Sequence, residues 1–138
     1  MNRTIRSVAA TLAALVLSAP LGVAAEAATL VADAYTNSAK PTKNFNDQKL
    51  LRVQGPPAST AVQKTFLQFD LSALPSGTVG SDVVKATLTV GVENVTNAGS
   101  FDVFRVTGAW TEAGITAATA PTLGGSPEVT GVALALAD

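Results

Sequence analysis

Four basic and two aromatic side chains are the groups in this chain best suited to recognising another molecule. Guanidinium and ammonium groups pair with carboxylates, and the flat faces of tyrosine and tryptophan pack against apolar C–H surface. If the segment around residue 50 lies beside the one around residue 64, their basic side chains form a positive patch, although the whole chain carries a net charge of −1. We therefore predict a ligand-binding site built from six residues: Lys49, Arg52, Lys64, Arg105, Tyr35 and Trp110.

Each of these residues also has an ordinary structural interpretation. Lysines commonly protect the exposed edge of a β-sheet, and a buried tryptophan commonly anchors the core of a β-sandwich. Tyr35 and Trp110 therefore pack in the core or contact ligand. Phe69 and Phe101 share the phase of apolar neighbours, which favours the core for both.

Oxygen-bearing side chains in the first third of the chain allow a calcium site. Carboxylate and amide oxygens on loops are ligands that Ca²⁺ accepts, and the candidates are Asp33, Asn44 and Asp47. The competing interpretation is that Asp and Asn in loops cap turns. No other cofactor is expected.

Cysteine and histidine are both absent, which removes several classes of chemistry. Disulfides, thiol nucleophiles, Ser-His-Asp triads and the usual zinc sites all need one of these residues. The acids available for paired-carboxylate hydrolysis, Glu93, Asp102 and Glu112, lie in no recognisable motif. We predict that the chain is not an enzyme.

The first 27 residues have the pattern of a signal peptide. Arg3 and Arg6 precede an apolar run over 8–17, and small residues at Ala25 and Ala27 fit a cleavage site. The run is shorter than the roughly 20 residues a membrane span needs, which disfavours an uncleaved anchor. We expect residues 1–27 to be a helical signal peptide and residues 28–138 to form one secreted domain.

The net charge of the expected mature domain favours neither nucleic acid nor a membrane surface as a partner. After Ala27 there are seven Lys and Arg against nine Asp and Glu. This balance gives no general attraction to nucleic acid or to a membrane surface, so neither is an expected partner. The oligomeric state stays open.

Apolar and polar residues alternate with a period of two from Thr29 onward, which predicts an all-β antiparallel sandwich. In the first strand, Leu30, Ala32 and Ala34 should share one face. In the third, Leu67, Phe69 and Leu71 should do so. Six strands are expected: 29–35, 49–53, 63–71, 84–92, 101–106 and 129–136.

Several short motifs follow one another along the chain. They are Asp33 and Tyr35; Pro41, Asn44, Phe45 and Asn46; Leu51 and Val53; Lys64, Leu67, Phe69 and Asp70; Leu74-Pro75; Ala86-Thr87-Leu88; Arg105-Val106; Trp110-Thr111-Glu112; and Pro121. Their order and spacing resemble the DNRLRE domain, a secreted jelly-roll module grouped with carbohydrate-binding module family 96. Two departures stand out. Ala117-Ala118 replaces an aromatic residue and an asparagine, and the chain stops where the family continues, so we expect the last strands to be missing.

The resemblance implies a non-catalytic, extracellular module that binds polysaccharide. Some relatives accompany enzymes that act on uronic acid polymers, which agrees with a basic site and an acidic polysaccharide. The alternatives are a structural or adhesive cell-surface module with a protein partner, or an inactive fragment of a larger secreted protein.

Overall fold

The computed structural model describes residues 8–9, 27–55 and 61–136, and almost all of its regular structure is β. One short 3₁₀ turn, Gly80–Asp82, interrupts the strands. The described strands are β1 Val8–Ala9, β2 Thr29–Asn37, β3 Gln63–Asp70, β4 Gly91–Val92, β5 Gly99–Val103 and β6 Val129–Leu134. They pair as β1–β4, β2–β3 and β5–β6, all antiparallel, which confirms the prediction of an all-β fold.

The β2–β3 ribbon is the longest paired unit and carries most of the buried side chains. Both strands are rich in β-branched and aromatic residues, which suit a pleated surface. At the end of each strand, a side-chain oxygen accepts a hydrogen bond from the backbone amide two residues further on. Asn37 Oδ1 accepts from the Ala39 amide at 2.9 Å, and Asp70 Oδ1 accepts from the Ser72 amide at 2.8 Å.

A β-bulge changes the predicted faces of β2. Leu30 pairs with Phe69 and Ala32 pairs with Gln68, so Val31 is an extra residue without a partner on β3. Directly opposite residues in an antiparallel pair share a face. Leu30 therefore lies on the face of Leu67 and Phe69, and the prediction that it shares a face with Ala32 and Ala34 is wrong.

Both faces of the ribbon are covered. On the first face, Ala34, Phe66 and Ile115 are buried together, and the half-buried Val106, Trp110 and Leu123 pack against them. On the second face, Tyr35, Phe45 and Leu51 are buried together, and Leu67 packs against them. Phe66, at 3% exposure, is thus more buried than Phe69, and Leu71 is 49% exposed.

The β5–β6 pair contains a second bulge. Phe101 pairs with Val132 and Val103 with Val129, which leaves one extra residue on β6. Gly131 sits at this point with a φ of +65°, and its amide donates to Asp102 Oδ1 at 2.8 Å. Only glycine takes this left-handed conformation without strain, so the bulge depends on that residue.

Two predicted strands are wrong in extent. Of 84–92, only Gly91–Val92 is paired, and the large apolar side chains Val84, Leu88 and Val92 are exposed, at 64%, 44% and 41%. Alternation predicts a strand only where a neighbouring backbone completes the ladder, and residues 83–90 have no such neighbour among the described residues. Segment 49–53 is not a strand either, although Gln54 just beyond it makes one bridge to Gln63.

The predicted signal-peptide helix falls almost entirely outside the described residues. Val8–Ala9 are described, and they form β1, which pairs with Gly91–Val92. Nothing in the described part of the chain forms a helix with the length and apolar character required to cross a lipid bilayer.

Candidate functional site

Two cations and two aromatic rings contact one another in series on the second face of the β2–β3 ribbon. Tyr35 stacks on Phe45 with ring centroids 4.6 Å apart and an interplanar angle of 24°. The Arg52 guanidinium lies 5.6 Å from the Tyr35 centroid, and Lys43 Nζ lies 5.1 Å from the Phe45 centroid. We call these four residues the cation–aromatic stack.

Strand register explains why Arg52 reaches Tyr35. Gln54 bridges Gln63 in the antiparallel sense, and Thr65 Oγ1 donates to the Arg52 carbonyl at 3.0 Å. Arg52 therefore lies beside Thr65, which pairs with Tyr35 on its other side. The three residues lie side by side across the sheet, so Arg52 and Tyr35 project to the same face.

Burial determines what this stack presents to solvent. Tyr35 is 3% exposed and Phe45 is 6% exposed. Neither ring offers a free face on which a sugar can stack, because the two rings cover each other and the cations lie over them. The surface available for recognition is cationic, and the rings serve to hold the cations.

The cations of the stack have no carboxylate partner among the described residues. The ion pair found there joins Arg105 Nε to Glu128 Oε1 at 3.9 Å, so no carboxylate oxygen of the described residues lies within 4.0 Å of Arg52 or Lys43. Arg52 Nε is buried and makes no hydrogen bond to the described residues. A buried donor without a partner is costly.

Burial and nearby charges both affect the pKa of Tyr35, which lies within the stack. Desolvation raises the pKa of Tyr35 above its ordinary value of 10.0, and the nearby Arg52 charge offsets part of this rise. The Asp47 carboxylate acts in the same direction as burial. Arg52 and Asp47 are therefore both close enough to influence the hydroxyl of Tyr35.

The other predicted basic residues do not join the stack. Lys64 pairs with Thr36 on β2 and alternates with Thr65, so it lies on the first face, with Ala34 and Phe66. Lys49 is exposed in the loop that leads to Arg52. Arg105 is exposed and engaged with Glu128, and its carbonyl accepts from the Gly124 amide at 2.7 Å.

Trp110 lies on the opposite side of the ribbon from the stack. Its ring packs on Phe66 with a centroid distance of 6.0 Å and an interplanar angle of 59°. It is half-buried and lines a depression of about 300 Å³. The residues around this depression are Ala109, Trp110, Thr111, Gly114, Ile115 and Thr119. The structure thus separates the two predicted aromatic residues, Tyr35 and Trp110, onto different surfaces.

The sequence profile of carbohydrate-binding module family 96 matches residues 24–132 of the chain. The chain belongs to this family. No curated protein and no solved structure matches it. The family assignment makes the chain a carbohydrate-binding module, and the matched range includes both the cation–aromatic stack and the Trp110 depression.

The calcium candidates of this family 96 module are placed as follows. Asn44 Nδ2 donates to the carbonyls of Glu112 at 2.8 Å and Ile115 at 2.7 Å, and its Oδ1 accepts from the Asn46 amide. Asp47 is exposed and accepts from Gln48 Nε2, while Asp33 is half-buried on the face of Tyr35. No group of three or more acidic side chains converges within the described ranges. A calcium site at these residues stays a prediction.

Two features of the family 96 module were missed at the sequence level. Lys43 joins the site: it lies two residues before Phe45 in the sequence, and its Nζ lies over the Phe45 ring. That spacing was available in the sequence. The hydrogen bonds from Asn44 to Glu112 and Ile115 span 68 and 71 residues of chain, so no local sequence pattern predicts them.

Proposed function

We propose that this carbohydrate-binding module recognises an acidic polysaccharide, with the cation–aromatic stack as its binding surface. One observation carries the proposal. The Arg52 guanidinium lies over Tyr35 and has no carboxylate within 4.0 Å among the described residues.

The chemistry of a uronic acid unit matches this surface. Its carboxylate accepts two parallel hydrogen bonds from a guanidinium fork, a geometry that an ammonium group does not reproduce. Lys43, held over Phe45, supplies a second positive charge for a neighbouring carboxylate. A polymer with one carboxylate on each sugar can engage both cations, which a neutral glycan cannot do.

The module binds without catalysis in this proposal. Modules of this kind hold a polysaccharide, whereas most glycoside hydrolases need a pair of carboxyl groups across the scissile bond. Asp102, one of the three candidate acids, instead accepts the Gly131 amide in the β6 bulge. The proposed site of action is outside the cell, which is supported by the signal-peptide pattern of residues 1–27.

Affinity electrophoresis tests the proposal. The purified chain is run in gels that contain alginate, pectin, xylan or chitin. Alginate or pectin should retard it, and salt should weaken the retardation, because exposed charges are screened beyond a Debye length of about 10 Å at 0.1 M ionic strength. Arg52→Gln should abolish most of the effect.

The matched control is Lys85→Gln, which removes one exposed positive charge outside the stack. It should retain wild-type retardation, and if it weakens retardation as much as Arg52→Gln, net charge rather than the stack governs binding. Absence of retardation in both acidic gels would contradict the proposal and favour a protein partner.

A further inference from the structure

The depression beside Trp110 is an open, uncharged surface that is separate from the cation–aromatic stack. Its volume of about 300 Å³ lies at the lower end of the roughly 300–1,000 Å³ found for small-molecule sites. None of its six lining residues is charged. Its one aromatic side chain, Trp110, is half-buried because its ring is packed on Phe66.

Hydrogen bonds hold the walls of this depression in place. Thr111 O accepts from the amides of Gly114 at 3.1 Å and Ile115 at 3.0 Å. Asn44 Nδ2 clamps the same turn from outside, at the carbonyls of Glu112 and Ile115. A wall fixed by its own backbone bonds loses little conformational entropy when a ligand arrives.

The two threonine hydroxyls of the depression differ in whether they have hydrogen-bond partners within the protein. Thr119 Oγ1 donates to the Gly114 carbonyl at 3.0 Å and accepts from the Thr116 amide at 3.0 Å. Thr111 Oγ1 has no hydrogen-bond partner among the described residues. A Cβ atom added to Gly114 would lie 2.7 Å from this hydroxyl oxygen. The depression therefore offers one open hydroxyl beside one aromatic side chain.

We propose that this depression holds one uncharged pyranose unit. The apolar C–H face of the sugar would pack on Trp110, and a sugar hydroxyl would hydrogen-bond with Thr111 Oγ1. The uncharged lining selects against a uronate, because its carboxylate would lose water without gaining a counter-charge. This inference rests on the proposed carbohydrate-binding function and extends it to a second surface, across the β2–β3 ribbon from Arg52.

Intrinsic fluorescence tests the site directly, because Trp110 is the single tryptophan of the chain. The purified chain is titrated with cellohexaose, xylohexaose, mannohexaose and chitohexaose. At least one should change the Trp110 emission in a saturable way. The change should persist at high salt and in Arg52→Gln, since no charge takes part.

Two variants that keep the tryptophan show where the sugar binds. Thr111→Val removes the open hydroxyl at nearly constant volume and should weaken binding by about 2- to 10-fold. Gly114→Ala places a methyl group against Thr111 Oγ1 and should weaken binding as well. The control Thr107→Val alters a hydroxyl that bonds to Thr122 away from the depression, and it should bind as the wild type does.

The outcomes separate this inference from the proposed function. The inference is overturned if none of the four uncharged hexasaccharides changes the emission, or if both variants bind as tightly as the wild type. Loss of retardation in the alginate and pectin gels with an intact fluorescence response would contradict the acidic-polysaccharide proposal alone.

Discussion

The guanidinium of Arg52 lies 5.6 Å from the centre of the Tyr35 ring, and the same ring stacks on Phe45. The Arg52 side chain therefore packs against the buried Tyr35–Phe45 pair. A cation over an aromatic face is stabilised by roughly 0.5–2 kcal/mol, depending on its exposure. Arg52 is thereby held in place before any ligand arrives, which reduces the entropy lost on binding.

The ionisation of Tyr35 is a first prediction. Burial raises its pKa above 10.0, so the folded chain should release the phenol proton at higher pH than the chain unfolded in urea. Tyr35 is the single tyrosine, so near-ultraviolet absorbance of tyrosinate reports this residue alone. A folded-state midpoint at or below that of the unfolded chain would contradict the buried position of the ring.

The same shift predicts how stability depends on pH. A pKa that is raised in the folded state favours the protonated phenol there, so its contribution is complete below pH 10 and is lost as pH rises through the folded pKa. Urea denaturation at increasing alkaline pH measures this loss. Tyr35→Phe should show a shallower decline over that window, and an identical slope in wild type and variant would count against the mechanism.

Asn44 is predicted to be a structural clamp. Asn44→Ala removes both bonds from Nδ2 to the carbonyls of Glu112 and Ile115 and leaves part-buried acceptors unpaired, which should cost about 1–3 kcal/mol in the free energy of unfolding. Denaturant titration measures the loss. The neighbouring Asn46→Ala is the control, because Asn46 is exposed and contributes its backbone amide to this turn. Equal effects of the two variants would exclude the clamp.

The glycine of the β6 bulge gives a third stability prediction. Gly131 has a φ of +65°, so Gly131→Ala should destabilise the fold by about 1 kcal/mol through backbone strain, although no atom obstructs the new methyl group. Gly125→Ala is the matched control, since Gly125 also has open space around its Cβ position and no left-handed φ. Thermal unfolding should separate the two variants, and equal melting temperatures would show that the bulge is not rigid.

Lys64 and Arg52 are predicted to differ although they lie on adjacent segments. Lys64 projects to the first face of the ribbon and Arg52 to the second. Arg52→Gln should therefore weaken binding of an oligouronate by roughly 10-fold or more, whereas Lys64→Gln should change it by less than about 3-fold, from long-range charge alone. Calorimetric titration of both variants gives the comparison. A larger effect at Lys64 would place the ligand on the other face.

The sequence predicted most of the strands, but it did not predict which side chains share a face or which of them are buried. The expected strands at 29–35, 63–71, 101–106 and 129–136 overlap β2, β3, β5 and β6, because alternation and turn residues act locally. The bulge at Val31 was missed, since one extra residue reverses the phase without altering composition. Phe66 was not recognised as central because both faces of the ribbon are covered, and alternation then no longer distinguishes core from surface.

The site was predictable only in part, for a related reason. Arg52 and Tyr35 were both predicted to bind ligand, but no local pattern predicts that Arg52 covers the Tyr35 ring. That contact depends on the bridge between Gln54 and Gln63, which joins segments on either side of a proline pair. The separation of Lys64 from Arg52 follows from the same register, and a register between distant segments is a tertiary property.

Side-chain NMR of Arg52 provides the most direct measurement. In an ¹⁵N-labelled sample, the Nε–H signals of the arginines are resolved from the backbone, and Arg52→Lys assigns the one of interest. Addition of an oligoguluronate or oligogalacturonate should shift the Arg52 Nε–H signal, because a carboxylate that pairs with the guanidinium group perturbs all of its N–H groups. If the acidic oligosaccharide binds while this signal and the Tyr35 resonances stay unchanged, the cation–aromatic stack is not the binding surface.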